Sequence, residues 1–238
     1  MGFRALQSLV LLVAFAADVA ACPRVANLPD WNCDGAIKVV VVGDSFVAGV
    51  GDTAHNNRGG YVLRAQASLP NVTVQNFGVP GLDTVQLLLN LNKAFSGRSY
   101  KNLAVALDGA DLVILDIGRN DFWSFGPPIQ TFRRLKKAVS LIKTKVTSRV
   151  GEPPVVVTAV LMLPNRTAQG IWVKELDGYI EKSDSSEAPA DLRFDAVQKR
   201  LTSSDQLHPT PVGYGVMAAI LVRYINSVYP GHVHNLRG

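Results

Sequence analysis

Four runs of branched apolar residues punctuate the chain: IKVVVV at 37–42, VTVQNF at 72–77, DLVILDIG at 111–118 and PPVVVTAVLM at 153–162. Apolar positions follow one another in these runs with little alternation, the pattern of strands covered on both faces, as in a parallel sheet. A weaker run, LRFDAV at 192–197, offers a fifth strand. Between the runs the period lengthens. GGYVLRAQASL precedes the second run, and LDTVQLLLNLNKAF and YKNLAVAL precede the third. Before the fourth, Phe132, Leu135, Val139, Ile142 and Val146 recur at steps of three and four, which predicts a helix over 131–145. TPVGYGVMAAILVRYINSVY predicts a closing helix, with Pro211 near its first turn and Pro230-Gly231 stopping it. Strand and helix in this order read as one α/β domain with helices on both faces. Sheets of that kind gather their working groups at the carboxyl ends of the strands. Residues 164–190 break the rhythm; they are polar, rich in Ser, Asp, Glu and Lys, and read as an insertion over or beside the site.

Composition narrows the picture without redirecting it. With 238 residues and 47% hydrophobic content, the chain is long enough to bury a full core. The net charge of +5 is modest, and its one local concentration lies on the wet side of the 131–145 helix. That is a solvated face, not the footprint of a nucleic-acid partner.

Residues 1–21 carry Arg4, the apolar run SLVLLVAFAA and then small residues, the layout of a secretory signal. The run is too short for a membrane span, which takes about 20 apolar residues. The expectation is an exported, soluble chain starting at Cys22, with an N-terminal segment at 22–36 and the folded domain at 37–238. Cys22 and Cys33 admit two readings. They close CPRVANLPDWNC as a disulfide, suited to an oxidising compartment; or VAAC is a lipobox, Cys22 is lipidated and membrane-anchored, and Cys33 is free.

Chemistry gathers at four places, each at a strand end or at the start of the last helix. Gly43-Asp44-Ser45 follows the first strand, NFGVPGLDT at 76–84 the second, GRND at 118–121 the third, and DQLHP at 205–209 precedes the final helix. Taken singly, Ser45 reads as a helix cap, Asn120 as a turn former and His208 as a surface histidine. Together they supply what acyl transfer needs. A serine hydroxyl is a poor nucleophile until a base takes its proton, and His208 is that base. Asp205, three residues earlier, can hold the other ring nitrogen. The oxyanion that forms needs preorganised donors, for which the Ser45 N–H, a glycine N–H and the Asn120 amide are candidates.

These blocks resemble those of the SGNH hydrolases, the GDSL lipase/esterase family, in the family's order and across 37–229. GDS matches the first block, NFGVPG the glycine block, GRND the G-x-N-D block and DQLHP the D-x-x-H block. The resemblance implies a flavodoxin-like α/β/α fold with a five-stranded parallel sheet. It also implies a serine esterase without metal or cofactor, acting on a small-molecule or lipid ester. It assigns Ser45 as nucleophile, His208 as base and Asp205 as its orienter, with Ser45, Gly81 and Asn120 lining the oxyanion hole and Gly78 a turn residue. Phe46 stands where the family's name has leucine, and Pro80 replaces a commoner small polar residue.

Competing architectures fit less well. The α/β-hydrolase elbow G-x-S-x-G fails, since Val47 stands where its second glycine belongs. His55, His232 and His234 lack further ligands at metal spacing and read as solvated. Asp44 and Asp121 read as turn anchors. Phe122, Trp123 and Phe125 either pack their loop or wall an acyl or sugar pocket. Three substrate readings remain: a lipid acyl ester, a short-chain ester, and an O-acetyl group on a polysaccharide. A non-catalytic lipid- or carbohydrate-binding module is the reading from a different class.

Overall fold

The computed structural model describes residues 22, 24–99, 101–124, 126–145, 155–158, 167–183, 201–205 and 207–228. Its centre is a parallel sheet. Strand β3 (Ile37–Gly43) lies between β4 (Val72–Gly78) and β5 (Leu112–Asp116), and β6 (Val155–Thr158) pairs with the outer side of β5. The register sets Val41 beside Asn76 and Ile114, and brings Gly43 level with Gly78 and Asp116 at the carboxyl end. The fifth strand expected at 192–197 lies outside the described residues.

The unbroken apolar runs of β3 and β5 follow from two covered faces, whereas β4 departs from the expectation, with Val72 and Val74 buried but Thr73 and Asn76 exposed. Side chains alternate along a strand, so Val39 and Val41 enter one core and Val40 and Val42 the other. The first core is closed by α2 (Gly60–Ala67) and α7 (Pro211–Arg223), through Tyr61, Val62, Ala65, Tyr214, Met217 and Leu221. A π-helical turn, Tyr224–Val228, continues α7 and adds Tyr224 and Ile225. The second is closed by α3 (Thr84–Phe95), α4 (Lys101–Asp108), α5 (Pro128–Lys145) and α6 (Thr167–Glu181). In α5 the predicted stripe is buried at Leu135, Val139 and Ile142, and the helix starts at Pro128, three residues before the expected 131.

Helix α6 corrects the reading of 164–190 as a polar insertion. Val173, Leu176 and Ile180 are buried in the second core, so at least 167–181 belongs to the helical layer. The spacing was helical, but Gly170, Lys174, Glu175, Asp177 and Gly178 between the apolar positions hid the stripe.

Ahead of the sheet, β1 (Arg24–Val25) and β2 (Leu28–Pro29) form a small antiparallel hairpin. Cys22 and Cys33 are joined in a disulfide with Cα atoms 5.2 Å apart, the first of the two cysteine readings. Buried Asp111 fastens this segment to the sheet: its carboxylate accepts the N–H of Trp31 and of Lys38, each at 2.8 Å. No helix among the described residues is long and apolar enough to cross a membrane.

Candidate active site

Strand β3 stops on Gly43 because nothing larger fits: a Cβ there would stand 2.2 Å from the Asp116 carbonyl oxygen. Asp44 then caps the one-turn helix α1 (Ser45–Ala48), its Oδ1 accepting the Phe46 N–H at 3.0 Å. Ser45 is thus the first residue of a helix, where the backbone N–H has no acceptor within the helix. Gly49 ends the turn in the left-handed conformation, at φ +87°. The turn is clamped from the side by β4. The Asn76 amide donates to the Val47 carbonyl at 2.7 Å, and a Cβ on Gly78 would meet the Ala48 nitrogen at 2.1 Å. Gly78 is therefore the last strand residue and a close-approach position, not the turn residue expected of it.

His208 reaches Ser45 from the other end of the chain. Residues 201–205 and 207–210 fold back on one another: Ser203 N–H donates to the His208 carbonyl at 2.8 Å and Thr210 N–H to that of Leu201 at 2.9 Å. Thr210 caps α7 and Pro211 opens it. Across the loop, His208 Nε2 lies 2.9 Å from Ser45 Oγ, and His208 Nδ1 lies 2.6 Å from Asp205 Oδ2. The other carboxylate oxygen, Oδ1, accepts the N–H of Leu207 at 2.9 Å and of His208 at 3.0 Å, and the Ser203 hydroxyl. Partial burial works against ionisation of Asp205, but the bonds from Ser203, His208 and Leu207 outweigh it and hold the carboxyl well below the usual range. Ser45 is 8% exposed, so it is buried without being fully sealed from solvent. The three residues singled out in the sequence meet.

The remaining predicted groups occupy the loops around them. Asn120 sits in a 3-10 turn, Arg119–Ser124, just after β5. Its Nδ2 donates to the Leu82 carbonyl at 2.9 Å, which ties it to the loop carrying Gly81 and, by valence, leaves a second amide hydrogen. Gly81 has φ +79° and open space around it. Asp121 is a buried anchor, as expected. It accepts from Thr84 N–H at 3.0 Å, from the Thr84 hydroxyl and from Thr131 at 3.2 Å, binding the turn to α3 and α5. Trp123 is exposed, while Phe122 packs edge-on between it and Trp172 at 5.1 and 6.1 Å. Trp172 was not foreseen; its indole N–H donates to the Gly126 carbonyl at 2.8 Å. Phe125, His232 and His234 lie outside the described residues. His55 is half-exposed and pairs with Asp52, at 3.1 Å.

Comparison with known proteins bears on the family and the fold. The profile of the GDSL-like Lipase/Acylhydrolase family matches residues 41–216, from the middle of β3 into α7. The chain belongs to that family. No curated protein matches it in sequence. Among solved structures, it is similar to a member of the lipolytic G-D-S-L family from Veillonella parvula, at TM-score 0.63 and 20% identity, covering 81% of this chain and 100% of that one. It is also similar to the psychrotrophic esterase EstA of Pseudoalteromonas sp., at TM-score 0.56 and 15% identity, covering 84% and 99%. A third is an acetylxylan esterase from Geobacillus stearothermophilus, at TM-score 0.57 and 17% identity, covering 79% and 94%. At these identities the likeness is one of fold. The chain is accordingly a GDSL-family hydrolase with the α/β/α fold of its structural neighbours.

Proposed function

We propose that this GDSL hydrolase is an exported serine esterase that cleaves carboxylic esters through an acyl-enzyme on Ser45. One observation carries the reading: Asp205, His208 and Ser45 form a continuous chain of polar contacts at 2.6 and 2.9 Å. The anionic Asp205 accepts the Nδ1 proton of His208 and so leaves the lone pair of Nε2 facing the serine. As Ser45 Oγ attacks the ester carbonyl, Nε2 takes its proton. The oxyanion is received by the Ser45 N–H, the Gly81 N–H and the Asn120 amide. The tetrahedral intermediate collapses, the C–O bond to the alcohol breaks, and the imidazolium returns its proton to the departing alkoxide. Water, activated by the same nitrogen, then releases the acid.

Short-chain and lipid acyl esters are the first substrates to test, in keeping with the lipolytic protein and the esterase among the structural neighbours. Exposed Trp123, with Phe122 behind it, favours a second reading, an O-acetyl group on a carbohydrate, because a sugar ring stacks on such a face; the acetylxylan esterase among the neighbours points the same way. A panel of p-nitrophenyl esters of increasing chain length beside acetylated xylan separates the two. In either case Ser45→Ala lowers kcat by on the order of 10⁴-fold or more, and a fluorophosphonate labels Ser45 in the folded wild type. Wild-type turnover by Ser45→Ala refutes the assignment, and failure of folded wild type to label returns the chain to a binding role.

A further inference from the structure

The catalytic scheme leaves a buried charged cluster beneath the nucleophile unused. Arg119 is 2% exposed. Its two terminal nitrogens donate to Asp116 Oδ1 at 2.7 and 2.5 Å, and the other Asp116 oxygen accepts the Tyr61 hydroxyl at 2.9 Å. Its Nε faces Asp44 Oδ2 at 3.6 Å, too long for a hydrogen bond, and neither atom has a hydrogen-bond partner among the described residues. The guanidinium carbon lies 4.1 Å from the centroid of the Phe46 ring, whose own centroid is 5.7 Å from that of His208.

A buried cluster of one cation and two carboxylates is a poor source of stability, because desolvation offsets the attraction and apolar packing does as well or better. Its placement is more informative. Arg119 precedes Asn120 in the chain, Asp44 precedes Ser45, and Phe46 packs on His208. A single planar side chain therefore touches the turn that carries the nucleophile, the turn that carries the oxyanion donor, and a ring that backs the base. A movement of under an ångström brings Nε within hydrogen-bonding range of Asp44 and completes the set. We infer that Arg119 is a positioning residue of the ester chemistry, holding the Ser45 turn and the Asn120 turn in register through Asp44, Asp116 and the face of Phe46. The inference rests on the serine-esterase reading of the site.

Arg119→Lys tests it. Lysine keeps the charge but is a single point donor that cannot fork onto Asp116 and reach Asp44 together. Misplacement of reacting groups by about 1 Å is worth on the order of 10²-fold. In protein with a native near-UV spectrum, kcat on a short p-nitrophenyl ester should fall by about 10- to 100-fold, with KM moving less than about threefold. Asp44→Asn keeps the capping oxygen and loses only the charge facing Arg119. Its kcat falls as well, and the double variant falls no further than the worse single, since both remove one contact. Asp111→Ala, a buried acid at the opposite end of β5, is the control for destabilisation alone; it lowers the melting temperature and leaves kcat unchanged. Wild-type kcat in folded Arg119→Lys, or strictly multiplicative losses, overturns the inference. If Arg119→Lys does not fold, wild-type kcat in Asp44→Asn overturns it. Failure of the wild type to label with fluorophosphonate counts against the esterase reading instead, which keeps the two apart.

Discussion

Replacing Asp205 by Asn tests the proposed base more sharply than deleting it. The carboxylate works on two fronts: Oδ1 accepts from Leu207 N–H, His208 N–H and the Ser203 hydroxyl, while Oδ2 faces His208 Nδ1 at 2.6 Å. An asparagine can keep the first set by turning its oxygen towards the backbone donors. Flipping it would set an NH2 against two N–H groups and forfeit two hydrogen bonds, each worth about 0.5–1.5 kcal/mol. The amide nitrogen is therefore left facing Nδ1. A donor there forces the ring proton onto Nε2, which then points a hydrogen, not a lone pair, at Ser45 Oγ. The loop stays folded and the base is gone.

Such a tautomer error lowers kcat by about 10⁴-fold, or roughly 5.5 kcal/mol of barrier at 1.36 kcal/mol per decade. Steady-state kcat on p-nitrophenyl acetate measures it, with near-UV dichroism establishing that the fold survives. A folded Asp205→Asn enzyme within tenfold of wild type refutes the reasoning, because Ser45 would then be using some other base. Stability gives a second reading of the same residue. A carboxyl depressed in the folded state contributes stability above its unfolded value of about 3.9, and that stability is lost as pH falls through the lower folded value. Asp205→Asn should thus melt below wild type at pH 7, and the gap should close in strong acid.

Asp111→Ala strips the acceptor from the N–H groups of Trp31, buried, and Lys38, part-buried, and should lower unfolding free energy in urea by about 2–6 kcal/mol, at 1–3 per orphaned group. Cys33→Ser opens a loop with a sequence separation of 11 and should cost about 2–3 kcal/mol; the oxidised wild type should show no free thiol with a thiol reagent under denaturing conditions. Gly78→Ala drives a methyl into the backbone of Ala48 and should reduce both yield and kcat. Gly81→Ala has open space and meets only the strain of φ +79°, about 1–2 kcal/mol; its amide donor is retained, so its melting temperature should fall less than that of Gly78→Ala.

The parts of this protein legible in sequence are those whose physics is local. Strands β3 and β5 announced themselves because both faces are covered, whereas β4 has Val72 and Val74 buried but Thr73 and Asn76 exposed; α5 and α7 did so because their stripes or caps are strong. The meeting of Ser45, Asp205 and His208 was legible because each sits in a recognisable block of the sequence. What was missed depends on partners far apart in the chain. Nothing in GRND says that its arginine turns inward to Asp116 and towards Asp44; only the register of β3 on β5, with Gly43 level with Asp116, brings them together. Gly78 looked like a turn because its true constraint, the backbone of Ala48, lies thirty positions earlier. The α6 stripe was diluted by glycines and charges that become harmless once α5 and the 119–124 turn cover its apolar side.

The same contrast explains how the site holds its shape while its parts come from opposite ends of the sequence. Asp205 is half-exposed, its side chain 48% accessible, so its attraction for His208 is screened and cannot by itself fix the ring. The ring is fixed instead by its backbone. Ser203 and Thr210 bond across the loop, Pro211 starts α7, and Gly51 presses on the imidazole's own Cβ so closely that an added Cβ would stand 3.0 Å from it. Tyr214, buried in the first core, donates to the Val50 carbonyl at 2.7 Å and ties α7 to the segment that follows the nucleophile turn. The contact between His208 and Ser45 is thus a consequence of how α7 docks on the chain beyond α1. Loosening that docking with Tyr214→Phe should weaken activity before it weakens the fold, because the 2.9 Å contact between His208 and Ser45 spans the two pieces that the bond holds together.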